Sequence, residues 1–207
     1  MLSLAADVGG LRTLDVGCGE GRFSRMLAER GAVATGIDIV PFLISEAIRL
    51  HPEGRYEVCS AESLPFENDS FDLVVSYITL VDIPDFRAAI SEMTRVLKPG
   101  GNFLVANIVP FTSACPEAWF SNERGERLHV QVDNYFNEAG QVYRWAGMEI
   151  VNFHRPLEAY LSTYLQNGLT LLKYLEPRPS AEDIDRHPTM AVNLRVPYFD
   201  VMLWQKN

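Results

Sequence analysis

The stretch Leu14-Asp15-Val16-Gly17-Cys18-Gly19-Glu20-Gly21-Arg22-Phe23 decides the fold. Arg12–Val16 is a short apolar strand, and the glycines follow at once. Arg22–Arg30 then carries Phe23, Met26 and Leu27 at helical spacing, with Gly31 as its stop. Glycines at 17, 19 and 21 let the backbone turn sharply and let a ligand approach where a Cβ would block it. In a doubly wound sheet such a turn sits at the carboxyl ends of the strands, where ligands bind. The spacing excludes two common phosphate loops. Counted from Gly17, the sixth position is Arg22, so the dinucleotide pattern G-x-G-x-x-G fails, and no Gly-Lys-Ser/Thr follows, so the P-loop fails. What stands is G-x-G-x-G after an acid. Asp38 ends the second strand, 21 residues past Gly17. An acid there can accept hydrogen bonds from both hydroxyls of a ribose.

Outward from this unit, strands and helices alternate. Ala32–Ile37 is a strand, and Pro41 opens a helix bearing Phe42, Leu43, Ala47 and Ile48. Arg55–Cys59 is a third strand, and Phe71–Ser76 a fourth, apolar on both faces as a buried parallel strand should be. Asp85 caps a helix with Phe86, Ala89, Ile90, Met93 and Leu97 on one stripe, ended by Pro99-Gly100-Gly101. Asn102–Ile108 is a fifth strand. The alternation predicts an α/β, doubly wound, mostly parallel sheet. After Pro110 the pattern changes. Residues 110–153 hold Trp119, Phe120, Tyr135, Phe136, Tyr143 and Trp145 without a clear sheet period, and read as an α-rich lid inserted over one end of the sheet. Pro156 opens a helix with Leu157, Tyr160, Leu161, Tyr164 and Leu165, and Leu169–Leu175 and Tyr198–Gln205 are closing strands. Glu176–Pro188, rich in Pro, Asp and Arg, reads as an exposed loop. The division is a cofactor-type half at 1–109, a lid at 110–153 and a closing helix and strands at 154–207, all one domain.

Composition narrows the function. The 207 residues suit one domain, and 47% hydrophobic with 22% charged residues suits a soluble one. Eighteen basic against 27 acidic residues give a net charge of −9. That disfavours a grip on nucleic-acid phosphates, which needs a basic face, and a polybasic membrane-surface role. Cys18, Cys59 and Cys115 form no CxxC pair, so neither a disulfide framework nor a zinc site is expected, and no metal is assigned. No run of about 18 apolar residues marks a membrane span. Met1–Gly10 lacks the basic start of a signal peptide, so the expected place is the cytoplasm.

Five stretches in order carry a resemblance: Leu14–Phe23, Asp38, Ala61-Glu62-Ser63-Leu64-Pro65-Phe66, Ser70–Val75 and Arg95-Val96-Leu97-Lys98-Pro99-Gly100-Gly101. Together they resemble the motifs of class I S-adenosylmethionine-dependent methyltransferases, in the type 11 branch that includes ubiquinone and menaquinone C-methyltransferases. The match covers about Arg12 to Ile108. The resemblance implies a seven-stranded Rossmann-like sheet whose last strand is antiparallel. It implies S-adenosylmethionine as methyl donor, S-adenosylhomocysteine as product and a small-molecule acceptor. Gly17, Cys18, Gly19 and Gly21 would pass under the donor's amino-acid part. Asp15 would anchor that loop or the donor's ammonium. Asp38 would hold the ribose, with Ile39 beside the adenine and Ala61 and Glu62 at its edge. Ser76 and Tyr77 would flank the methionine part and the methyl group. Asp72 and the Lys98–Gly101 turn would be structural. Two departures stand out. Ser60 replaces the acid that often precedes the Ala-Glu pair. The first strand begins about 12 residues from Met1, so the family's N-terminal cover would come from a second subunit of a homodimer, be absent and leave the cleft more open, or lie in residues before this Met1.

A hydroxyl or amine acceptor needs a base, and the histidines are the first candidates. His51 and His187 read as surface residues. His129 lies in the insertion, and His154 opens His154-Arg155-Pro156-Leu157, a stretch resembling one in a group of bacterial type 11 proteins. His154 and Arg155 either face the acceptor or tie the insertion to the sheet. Tyr77 is the third catalytic candidate. The expected function is direct in-line methyl transfer to a small molecule. The alternative is a non-catalytic protein of the same fold that binds S-adenosylmethionine or S-adenosylhomocysteine.

Overall fold

The computed structural model describes residues 1–5, 7–115, 119–145 and 148–207, and of 143–145 and 148 the backbone alone. The first half is β1 (Arg12–Val16), α1 (Arg22–Ala28), β2 (Val33–Asp38), α2 (Pro41–Leu50), β3 (Arg55–Val58), β4 (Phe71–Tyr77), a 3-10 turn at Leu80–Asp82, α3 (Phe86–Val96) and β5 (Leu97–Ile108). Then come α4 (Pro110–Ser113), β6 (Phe120–Ser121), β7 (Arg127–His129), β8 (Ala139–Trp145) and β9 (Met148–His154). The chain closes with α5 (Leu157–Gln166), β10 (Leu169–Leu175), α6 (Ala181–Arg186) and β11 (Phe199–Lys206).

Seven strands form one sheet in the order β10-β11-β5-β4-β1-β2-β3. β11 runs antiparallel to both β5 and β10, and the other neighbouring pairs are parallel. The reversed strand is therefore the last one, as expected. Period-two alternation sends side chains to two cores. Val74, Phe103 and Val105 pack with α3 and α5, whereas Leu73, Val75, Leu104 and Ala106 pack with Phe23, Leu27 and the N-terminal Ala5 and Val8. The chain moves outward from β1 to β3, then returns to β4 beside β1. This reversal opens a cleft at the carboxyl ends of β1 and β4, the place such sheets bind ligands.

Asp85 caps α3, its Oδ1 accepting from the Ala88 N–H at 3.0 Å. The Lys98–Gly101 turn bulges out of β5 between the Phe71–Leu97 and Leu73–Asn102 pairs. Lys98 Nζ donates to Asp72 Oδ1 at 2.6 Å, and Asp72 Oδ2 accepts from the Arg12 N–H.

Two expectations need correction. The insertion is not α-rich: between Pro110 and Phe153 the described residues hold one four-residue helix and two antiparallel hairpins, β6–β7 and β8–β9. Ile150 and Val151 are adjacent and apolar, which masks the alternation by which a strand is recognised. Glu176–Pro188 is not all loop, because Ser180 and Asp183 form a reciprocal capping box that starts α6.

Candidate active site

The glycine turn leaves β1 at Gly17, whose φ is +72°. A Cβ there would lie 2.1 Å from Thr79 Cγ2, so only glycine fits. Thr79 Oγ1 donates to the Gly17 carbonyl at 3.2 Å and ties the turn to the end of β4. Between them stands Ile78 at φ +57°, a strained conformation for a β-branched residue, held by its N–H on the Ala106 carbonyl at 2.8 Å. Gly19 is different. Its φ is +56°, and nothing lies within 4 Å of where its Cβ would stand. The backbone is exposed there to whatever enters the cleft.

Two carboxylates fix this loop. Asp38 Oδ2 accepts from the Gly19 N–H and Oδ1 from the Val40 N–H, each at 2.9 Å. Asp15 is buried, and its Oδ2 accepts from the Ser24 hydroxyl at 2.6 Å while Oδ1 has no partner. Burial pushes the Asp15 carboxyl up to about 6, against the Ser24 hydrogen bonds that favour its ionised form.

Two cavities adjoin at Gly17 and Tyr77. The smaller, about 290 Å³, is bounded by Asp15, Gly17, Cys18, Arg22, Phe23 and Tyr77, with Met1 and Leu2 at its wall. The larger, about 640 Å³, runs along Gly19, Asp38, Ile39, Ser60, Ala61 and Glu62 to Asp82 and strand β9 of the insertion. These features suit S-adenosylmethionine: an unpartnered buried carboxylate oxygen for an ammonium, an open glycine backbone, and a fixed acid beside an apolar slot.

The expected residues divide cleanly. Asp15, Gly17, Cys18, Gly19, Asp38, Ile39, Ala61, Glu62 and Tyr77 line one cavity or both. Gly21 opens α1 beneath the Tyr56 ring and lines neither. Ser76 lies within β4, fully buried with an unpartnered Oγ, and lines neither. Ser60 Oγ accepts from the Glu62 N–H at 3.2 Å, and Glu62 Oε1 accepts from the Asp85 N–H at 2.7 Å. Tyr77 stacks on Phe23 with ring centroids 5.6 Å apart.

The histidines are elsewhere. His129 is exposed on β7, stacked on Phe120. His154 is buried with both ring nitrogens engaged, Nδ1 with Ser113 Oγ and Nε2 with the Tyr135 carbonyl, each at 2.8 Å. Arg155 is buried as well. Its guanidinium donates to the carbonyls of Leu80, Ile83 and Pro84 and lies over the Phe86 and Phe153 rings. Both therefore tie the insertion to the sheet. Tyr135 stacks on Phe111 and accepts from the Leu157 N–H, and Phe136 is exposed. Trp119 lies under Arg195, and the side chains of Tyr143 and Trp145 fall outside the described residues.

Sequence reasoning missed Asp82. It closes the 3-10 turn after β4 and shares the larger cavity with Ile83, Pro84, Ile150, Val151 and Phe153. Asn152 Nδ2 of β9 donates to its Oδ1. The protein around it pushes its carboxyl up to about 6; the Asn152 bond opposes this and the Asp38 charge adds to it. The only local signal is an acid between Val81 and Ile83, a few residues past a buried strand.

A family model described as a methyltransferase domain matches residues 14–105. A Listeria monocytogenes protein provisionally assigned as an S-adenosylmethionine-dependent methyltransferase has a TM-score of 0.90 at 30% identity, over 100% of this chain and 94% of that one. An S-adenosylmethionine-dependent methyltransferase from Mesorhizobium loti gives 0.89 at 27% identity, over 99% and 95%. The ubiquinone biosynthesis O-methyltransferase of Xanthomonas oryzae is 40% identical over 113 residues, 52% of this chain and 47% of that protein. The chain spans less than half the length of the curated relatives it matches. With its glycine turn, its Asp38 and a full-length likeness at 30% identity, the chain belongs to the type 11 branch of the class I S-adenosylmethionine-dependent methyltransferases, a family whose methyl donor is S-adenosylmethionine.

Proposed function

We propose that this protein transfers the methyl group of S-adenosylmethionine directly to a small-molecule acceptor. The observation that carries this is the single cavity of about 640 Å³ joining the Gly19–Asp38 corner to an apolar lid. Bound there, the donor supplies a methyl on a positively charged sulfur, a leaving group that is already activated. The chain's part is then to align the acceptor and exclude water.

Asp38 binds the ribose hydroxyls, and Ile39 and Ala61 pack against the adenine. The open backbone at Gly19 passes beneath the amino-acid part, and Asp15 Oδ1 receives its ammonium. Tyr77 stands where the two cavities meet and faces the reacting methyl. The net charge of −9 and the apolar wall favour a small uncharged acceptor over nucleic acid. Three free thiols, two of them buried, accord with a reducing compartment, and we place the protein in the cytoplasm. Among the described residues no helix is long and apolar enough to cross a membrane.

One observation favours the second reading, a binding protein without catalysis. Ser60 is neutral and already accepts from Glu62, so the adenine amino group loses a charge-assisted partner. Calorimetric titration with S-adenosylmethionine and S-adenosylhomocysteine separates the readings. Micromolar binding of both, with methyl transfer to one of a panel of phenols, amines and thiols, is the expected result. No binding at millimolar concentration overturns both readings, and binding without transfer favours the second.

A further inference from the structure

We propose that Asp82 binds the acceptor and takes its proton, so that the acceptor is an apolar small molecule reacting through a hydroxyl or an amine. This rests on the methyltransferase reading above and narrows it. The larger cavity has two ends of different character. Gly17, Gly19, Asp38, Ser60 and Glu62 form the polar end. Ile83, Pro84, Ile150, Val151 and Phe153 form the apolar end, and among the described residues Asp82 is the one ionisable group placed with them.

The other ionisable groups of the cavity are occupied or unsuited. Asp38 holds two backbone amides. Glu62 holds the Asp85 N–H with one oxygen and the Ser60 hydroxyl with the other. Burial pushes the Cys59 thiol up to about 11, and the Tyr77 ring is stacked on Phe23. Asp82 differs. Asn152 of the lid orients its Oδ1, and among the described residues Oδ2 makes no hydrogen bond to the protein. The side chain remains open to the cavity while protein surrounds it, which raises its proton affinity toward neutral pH. A base is most useful when its pKa lies near the working pH.

The same surroundings exclude other acceptors. Asp82, Asp38 and Glu62 all line this space, and the Asp85 N–H bonds Glu62 beside it. Arg155 is engaged behind the wall by the carbonyls of Leu80, Ile83 and Pro84. Among the described residues lining this cavity, a carboxylate acceptor would meet three like charges and no cation. In the step itself the acceptor oxygen or nitrogen bonds to the methyl carbon. The methyl–sulfur bond breaks with its electron pair left on sulfur as a neutral thioether. The acceptor proton goes to Asp82 Oδ2.

The test uses the full chain loaded with S-adenosylhomocysteine and three probes of one shape: 4-ethylphenol, 4-ethylanisole and 4-ethylbenzoate. Calorimetry should show the phenol binding about tenfold tighter than the ether, with the benzoate weakest. Asp82→Asn should keep the affinity for S-adenosylhomocysteine and lose that discrimination. Methyl transfer to 4-ethylphenol should fall about 100-fold in the variant. The rise of the wild-type rate through pH 6 should vanish with it. Equal binding of phenol and ether, binding of none of the probes at millimolar concentration, or an unchanged pH profile in Asp82→Asn overturns the assignment. Failure to bind S-adenosylhomocysteine overturns the methyltransferase reading instead.

Discussion

The Asp38 carboxylate accepts N–H bonds from Gly19 and Val40 at 2.9 Å each, and each oxygen keeps a further lone pair, which the proposed ribose contact would use. It is held in place before any ligand arrives, so binding does not have to order it. Asp38→Ala should raise the dissociation constant for S-adenosylhomocysteine about 10- to 100-fold, or about 1–3 kcal/mol. It should also lower the melting temperature, because two loop amides lose their acceptor. Calorimetry and thermal denaturation check both, and an unchanged dissociation constant would place the ribose elsewhere. At this scale the sequence was informative where chemistry is local. A glycine needed at 17 and an acid 21 residues later mark themselves by type and spacing. Asp82 does not, because its meaning depends on a lid strand that arrives 70 residues later. His154 shows the opposite case: its residue type left open a base or a tie between the insertion and the sheet, and both its nitrogens are tied into the fold.

Among elements, the insertion hangs on a few contacts. Arg155 satisfies three carbonyls of the segment after β4 and stacks on Phe86 and Phe153, 4.6 and 4.9 Å from their centroids. Arg87 holds Glu138 with two hydrogen bonds, of 2.6 and 2.9 Å. That pair is half-open to water and worth little by comparison. Arg155→Ala would leave the Ile83 carbonyl without its donor, remove a donor from those of Leu80 and Pro84, and strip the cation from two rings, and should cost about 2–4 kcal/mol in urea denaturation. A loss below about 1 kcal/mol would show that water replaces the guanidinium easily. Most strands of the main sheet were legible as compact apolar runs bounded by glycine, proline or a cap; β3, Arg-Tyr-Glu-Val, is the exception. The hairpins were not: β6 and β7 have two and three residues, and β8–β9 shares no pairing with the main sheet. The start of α6 was present as Ser180-x-x-Asp183, but the surrounding prolines and charges spoke for a loop.

For the whole molecule, burial sets the response to pH. Asp200 is 1% exposed, neither oxygen has a hydrogen-bond partner, and burial pushes its carboxyl up to about 7, with Glu176 adding to the shift. Asp15 and Asp82 move the same way, to about 6. In each case the folded chain holds its proton more tightly than the unfolded chain. Their stabilising contribution is therefore full below the unfolded value, near 4, and is lost as pH rises through 6 to 7. The melting temperature should fall between pH 5 and pH 8. Asp200→Asn, which cannot ionise, should reduce that fall by several degrees, since about 1 kcal/mol shifts a domain of this size by roughly 2–4 °C. Equal falls in both proteins would show that Asp200 stays ionised. The Ser113–His154 hydrogen bond has a different consequence, one for descent. It pins together the two ends of the insertion where the chain leaves and rejoins the sheet. With that neck closed, doubling the length of the loop between would cost only about 0.6 kcal/mol in closure entropy. A lineage can thus replace the insertion wholesale while the main sheet and its glycine turn stay as they were.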